Sequence, residues 1–231
     1  VLENISFSMA PGEVVALVGE NGSGKTTLIK LLCRLYDPTE GKIEMDGLDI
    51  RNYDIVALRR EISVVFQDFM RYHMTARENI RLGNIELSAE NHKIDEAAGN
   101  TGADKLIRRL PKGYDTVLGK WFEEGEELST GEWQKVALAR TFLRNAQIIA
   151  LDEPSSSLDA KTEYEIFRGF KQLLKGRSAI LISHRFSTVR MADRILVLEN
   201  GHIVENGTHQ ELMKLGGKYA DMFEKQAQYY R

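Results

Sequence analysis

The stretch Gly19-Glu20-Asn21-Gly22-Ser23-Gly24-Lys25-Thr26 decides how this chain is read. It follows the apolar run Val14-Val15-Ala16-Leu17-Val18, a buried-strand pattern. It precedes a helical one, in which Leu28, Leu31, Leu32 and Leu35 recur at i, i+3, i+4 and i+7. A strand, a glycine-rich loop ending in Lys-Thr and a helix together supply the full context of a phosphate-binding loop. Gly19, Gly22 and Gly24, with Asn21 and Ser23 between them, let backbone N–H groups curl around phosphate oxygens. The helix start adds its partial positive charge. Lys25 is placed for the β- and γ-phosphates of a nucleotide and the Thr26 hydroxyl for Mg²⁺. Thr27 follows in the set expected to contact the nucleotide.

A second element lies far downstream. Ile148-Ile149-Ala150-Leu151 reads as a buried strand, and it ends in the carboxylates Asp152 and Glu153. In a sheet of this kind ligands bind at the strands' C-terminal edge. Asp152 is therefore placed to hold Mg²⁺, and Glu153 to orient and polarise an attacking water.

Composition sets the bounds. The 231 residues allow one large domain or two small lobes. A net charge of −3 gives no overall basic footprint, so nucleic acid is not an expected partner. The single cysteine, Cys33, lies among leucines after the loop and reads as a small buried hydrophobe. It can form no internal disulfide, which fits a reducing compartment. No apolar run approaches the 18 residues of a membrane span, and no signal peptide is present. The chain starts at Val1 rather than Met and is expected to be a piece of something longer.

Strands are expected at Leu2–Met9, Val14–Val18, Lys42–Met45 (with a turn at Asp46-Gly47), Ile62–Phe66, Ala179–Ile182 and Ile195–Leu198. Asn200-Gly201 signals a hairpin. Thr208-His209-Gln210-Glu211 is a capping box opening the C-terminal helix. From about Ala76 to Leu143 the pattern is mostly helical. The picture is an α/β core with a helical insertion.

Leu128-Ser129-Thr130-Gly131-Glu132, Gln67, Ser157-Leu158-Asp159 and His184 complete the set. In order and spacing the chain resembles the nucleotide-binding domain of ATP-binding cassette (ABC) transporters, from Leu2 to about Phe223. Gly113-Tyr114-Asp115-Thr116 is similar to the exporter branch, where this domain follows a transmembrane domain. The resemblance implies an α/β phosphate-loop NTPase core with an antiparallel β-subdomain and an inserted helical subdomain. The core would take about 1–70 and 146–231, the helical part about 76–143.

The resemblance also implies roles. Gln67 is expected to ligate Mg²⁺ and sense the transmembrane domain, and His184 to contact the γ-phosphate. Asp159 would bridge to the opposite protomer; it could equally cap the helix carrying Tyr164 and Phe167. Ser129 and Gly131 would contact the γ-phosphate held by a second copy. The signature departs from the family's commonest Leu-Ser-Gly-Gly-Gln, with Thr130 for the first glycine and Glu132 for the glutamine. Ser129-x-x-Glu132 is also a capping box for the helix through Val136, Ala139 and Arg140.

Glu123-Glu124-Gly125-Glu126-Glu127 places four carboxylates in five residues. It reads either as a solvated acidic loop or, with Trp121 and Phe122 before it, as a surface for the transmembrane domain. An adenine-stacking aromatic, usual a little upstream of the first strand in this family, would lie before Val1. Phe7, alternating with Ile5 and Met9, reads as packing.

The function implied is an ATP-hydrolysing motor, working as an ATP-sandwiched pair at the cytoplasmic face of a membrane. The competing readings are a soluble ABC ATPase and a low-turnover regulatory module. The first would need a long coiled coil for DNA repair or a second cassette for translation. The altered signature motivates the second.

Overall fold

Strand β1 (Val14–Gly19) is buried along all six residues. A strand dry on both faces belongs in the middle of a parallel sheet covered on both sides. In the computed structural model it lies there, flanked by β6 (Ser178–Ile182) and β7 (Arg194–Glu199), both parallel to it. Residues 1–121, 125–154, 173–174 and 176–228 are described. They fall into two units. The first is Val1–Ile62 with Ala146–Glu153 and Gly176–Arg231; the second is Ser63–Asn145 with Pro154–Lys175.

The first unit is built on the sheet order β4-β5-β6-β1-β7-β8. β4 (Ile62–Val65) enters it at Ile62, and β5 (Ile148–Asp152) pairs parallel with β6. β7 turns back through Asn200 (φ 48°) and Gly201 (φ 80°) into antiparallel β8 (His202–Gly207). Two successive left-handed residues give a twist that suits a two-residue hairpin. On one sheet face Ala16, Val18, Ile195 and Val197 pack with Phe186, Val189, Leu212 and Tyr219. Burying such side chains contributes about 1.5–3 kcal/mol each. Helix α1 (Lys25–Leu32) follows β1, and α2 (Ile55–Arg60) precedes β4.

The expected strand Leu2–Met9 does not form. Leu2, Ile5, Phe7 and Met9 are half-buried and alternate with exposed neighbours, so the period-two pattern is real. Hydrogen bonding is what this segment lacks: among the described residues its one backbone-to-backbone bond runs from Glu3 N–H to the Gly201 carbonyl, 2.9 Å. Alternation sorts side chains between two faces but does not supply a partner strand. The separate antiparallel pair outside the main sheet is likewise small. It is a two-residue ladder between β2 (Glu44–Met45) and β3 (Leu48–Asp49), turned at Asp46 (φ 51°) and Gly47 (φ 78°).

The described part of the second unit is helical: α3 (Ala76–Arg81), α4 (His92–Thr101), α5 (Ala103–Ile107) and α6 (Thr130–Leu143). Ile80, Ile94, Ile107, Leu118, Trp133 and Val136 form its core. Arg140 reaches from α6 to the carbonyls of Met70 (3.3 Å) and Asn79 (3.0 Å), lying over the Tyr72 ring. No described helix is long and apolar enough to cross a membrane.

Candidate nucleotide site

Because β1, β5 and β6 run parallel, their C-terminal ends share one edge, and the first unit's site residues stand there. β1 runs out at Gly19, whose backbone is at φ 150°. A Cβ at that position would come 2.2 Å from the Leu198 carbonyl oxygen, so the loop leaves the sheet at a point only glycine can occupy. Gly24 is similar: φ is 105°, and a Cβ would meet Leu2 at 2.4 Å.

The chain folds back around Lys25. Its ammonium donates to the carbonyls of Gly19 (2.9 Å) and Glu20 (2.8 Å) and to Ser23 Oγ (3.4 Å). Burial lowers its pKa, while the negative charges of Glu153 and Asp152 oppose that shift. α1 begins behind Gly24 with no side-chain cap and no acidic residue in its first turn. Among the described residues its first N–H groups thus have no side-chain acceptor, the condition under which a helix start binds an anion. Asn21 and Gly22 are exposed on the loop's outer side, and Thr27 is half-buried on the first turn.

Asp152 ends β5, buried, and its Oδ2 accepts from Thr26 Oγ1 at 2.7 Å. Hydroxyl and carboxylate oxygens are hard donors. Mg²⁺ commonly takes one or two carboxylates plus substrate phosphates, so this pair fits it. The next residue, Glu153, sits at φ 51°. The left-handed region costs a non-glycine residue about 1–3 kcal/mol, and such strain clusters at working sites. Its amide is held by the Ile182 carbonyl (2.9 Å), and its Oε1 lies 2.8 Å from His184 Nε2. His184 follows β6, with its ring 42% exposed.

Gln67, Ser129 and Gly131 belong to the second unit. Gln67 is exposed in a turn of the second unit, two residues beyond the end of β4. Ser129 caps α6: its Oγ accepts from the Glu132 amide (3.4 Å), and Glu132 Oε2 accepts from Ser129 N–H and Oγ, both at 2.8 Å. Gly131 is the second residue of that helix. Asp159, with Tyr164 and Phe167, lies outside the described residues, as do Phe122, Glu123 and Glu124. Glu127 is no free surface charge, because it accepts from the Trp133 indole at 3.3 Å. Trp121 is 82% exposed and stacks on His73 at 4.8 Å. The Cys33 thiol is buried and pushed up to about 11, as an inert packing residue would be.

Beyond α7 (Phe186–Val189) and α8 (His209–Leu215), two residues the motifs did not announce touch the site from α9 (Lys218–Gln228). Lys218 Nζ pairs with Glu199 and, at 3.2 Å, with Glu20 of the loop. Gln226 bonds the backbone beside His184. A lysine and a glutamine in an amphipathic helix carry no local signal that would mark them.

A loop of this build at the edge of a parallel sheet defines a phosphate-loop nucleotide-binding protein. Comparison narrows the class. A family model described as ABC transporter matches residues 2–156. The subtilin transport ATP-binding protein SpaT of Bacillus subtilis is 45% identical over 97% of this chain, which spans 37% of that protein. An ATP-dependent lipid A-core flippase of Syntrophus aciditrophicus is 46% identical over 98% of this chain and again 37% of the relative. Among solved structures, a bacterial Atm1-family ABC exporter with ATP bound superposes with a TM-score of 0.91 at 40% identity. That match covers 98% of this chain and 39% of the exporter's. The chain belongs to the ABC transporter family, as its ATP-binding domain. It spans little more than a third of the length of these relatives.

Proposed function

We propose that the chain is the ATP-hydrolysing motor of an exporter, coupled to a transmembrane domain at the cytoplasmic face of a membrane. The observation that carries the reading is the Glu153–His184 pair at 2.8 Å beside the buried Thr26–Asp152 pair at 2.7 Å. A carboxylate anchored by a strained backbone and a histidine next to a phosphate cradle are the parts that phosphoryl transfer to water needs. The transporter names of the relatives support the coupling.

In this reading the loop from Gly19 to Thr27 holds the phosphates and Lys25 faces the β- and γ-oxygens. Mg²⁺, held by Thr26, Asp152 and Gln67, would neutralise charge on the phosphates. Glu153 accepts a proton from the attacking water. The water oxygen forms the new bond to the γ-phosphorus, the bond to the β,γ-bridging oxygen breaks, and ADP leaves. His184 Nε2 steers Glu153 and the γ-phosphate together. A second copy contributes Ser129 and Gly131 over the same nucleotide. The reading divides the chain into a core of about 1–70 with 146–231 and a helical part of about 76–143.

The test is ATP turnover by the chain with Mg²⁺, together with size exclusion of Glu153→Gln. The motor reading expects turnover in the wild type and an ATP-dependent dimer in the variant. An inactive wild type that still binds ATP would favour the regulatory module. A variant monomeric at saturating ATP would remove the sandwich.

A further inference from the structure

The last helix reaches both the phosphate loop and the histidine. Gln226 Nε2 donates to the His184 carbonyl at 2.6 Å, and its Oε1 accepts from the Phe186 amide at 3.0 Å. The partners dictate the amide's orientation, since a carbonyl needs a donor and an N–H an acceptor. One side chain thereby ties down the backbone on both sides of Arg185. The Arg185 amide is itself bonded to Ser183 Oγ at 3.0 Å. The Phe186 ring packs edge-on against Tyr219 (5.4 Å) and Phe223 (5.2 Å) of the same helix. The backbone from Ser183 to Phe186 is therefore held against α9, while the His184 ring projects to Glu153 Oε1 at 2.8 Å. Eight residues earlier, roughly 12 Å along the helix at its rise per residue, Lys218 pairs with Glu20 at 3.2 Å. The same helix is tied to the phosphate loop at one end and to the histidine's backbone at the other.

We propose that Gln226 is a positioning residue that sets His184 against Glu153, so that the C-terminal helix is part of the hydrolytic apparatus and not only packing. This rests on the reading that His184 and Glu153 act on ATP. A carboxylate could keep only the accepting bond and an alkyl group neither. Its hydrogen bonds go to the His184 and Phe186 backbone, so its loss should act on turnover and not on nucleotide binding.

The experiment compares the wild-type chain with Gln226→Ala and Gln226→Glu, each alone and with His184→Ala. Gln226→Ala is expected to lower kcat roughly tenfold, the scale of two neutral hydrogen bonds. Its KM for ATP should stay within about twofold of wild type if the phosphate contacts are untouched. Hydrogen exchange at the Phe186 amide should accelerate, and the His184 imidazole NMR resonances should move. Gln226→Glu should keep Phe186 protected yet still lower kcat. In the His184→Ala background, Gln226→Ala should cost nothing further. The proposal is overturned if Gln226→Ala lowers the melting point but leaves kcat unchanged, or if it multiplies the loss caused by His184→Ala. If the wild type does not hydrolyse ATP, the motor reading falls. The clamp is then decided by the His184 resonances alone: a shift upholds the positioning, and unchanged resonances reject it.

Discussion

The chain opens two helices at its two glycine-containing motifs and opens them in opposite ways. α1 starts behind Gly24 with no side-chain cap, no acidic residue in its first turn and a buried lysine as its first member. α6 starts behind Ser129 with a complete capping box, and the Glu132 carboxylate already accepts from Ser129 N–H and Oγ. One helix start is left for an anion from outside; the other carries its own. The same macrodipole underlies both, so the difference lies in a few side chains. An uncapped start that also lacks an acidic residue and opens on a lysine leaves N–H groups an anion can complete. A capped start is stable alone and offers an incoming phosphate a competing carboxylate.

The largest effect tests whether the open start leads to chemistry. Glu153→Gln is expected to lower kcat by roughly 10²–10⁴-fold, the usual worth of a positioned general base. ATP affinity should change little, measured by calorimetry beside steady-state turnover. Turnover at the wild-type rate would take Glu153 out of the mechanism and leave the open start a binding site only.

Next is the difference in affinity. Lys25→Ala removes a cation whose charge-assisted bonds are worth about 1.5–3 kcal/mol, or roughly 10- to 150-fold in ATP affinity. Ser129→Ala at the closed start should leave the monomer's ATP affinity unchanged. Equal losses in the two variants would erase the distinction between them.

Stability should show the reverse order. Ser129→Ala removes a cap and is expected to cost about 0.5–2 kcal/mol in chemical denaturation. Glu132→Gln keeps the capping geometry, since glutamine serves at that position. It should hold stability within a few tenths of a kcal/mol of wild type while lowering the ATP concentration at which the chain dimerises. An unchanged dimerisation midpoint would show that the carboxylate does not oppose the second copy's nucleotide.

The smallest effect is a pH dependence at a second capped start. Thr208 and Glu211 form a capping box for helix α8 (His209–Leu215), and His209 is its first residue. Burial, and then the charge of Arg190, lower the His209 pKa below its usual 6.5. The unfolded chain therefore takes up the proton first. The stability linked to this group is present above about pH 6.5 and is lost progressively as pH falls below it. The melting point should drop between pH 7 and pH 5.5, and His209→Gln should flatten that slope. An unaltered slope would assign the effect to other groups.

Much was legible because it is local. The glycine loop, the S/T-x-x-E starts at Ser129 and Thr208 and the Asn200-Gly201 turn depend on near neighbours in sequence, and each stands where the pattern put it. Val14–Val18 and Ile148–Leu151 read correctly because strands dry on both faces need apolar residues throughout. Leu2–Met9 failed for the complementary reason. A half-buried alternating segment looks the same with or without a hydrogen-bonded partner.

By itself the sequence determined which residues could hold phosphate, and which strands end in carboxylates or a histidine, since these are properties of side chains and of backbone over one turn. Only the tertiary structure decided that Thr26 meets an aspartate 126 residues away and that Glu153 takes a left-handed backbone facing His184. It also decided that Gln226 closes on the histidine's backbone 42 residues before it. Those pairings follow from the strand order β5-β6-β1, which brings three C-terminal ends to one edge. Strand order is chosen by the packing of whole faces against one another, and no short window of residues carries it.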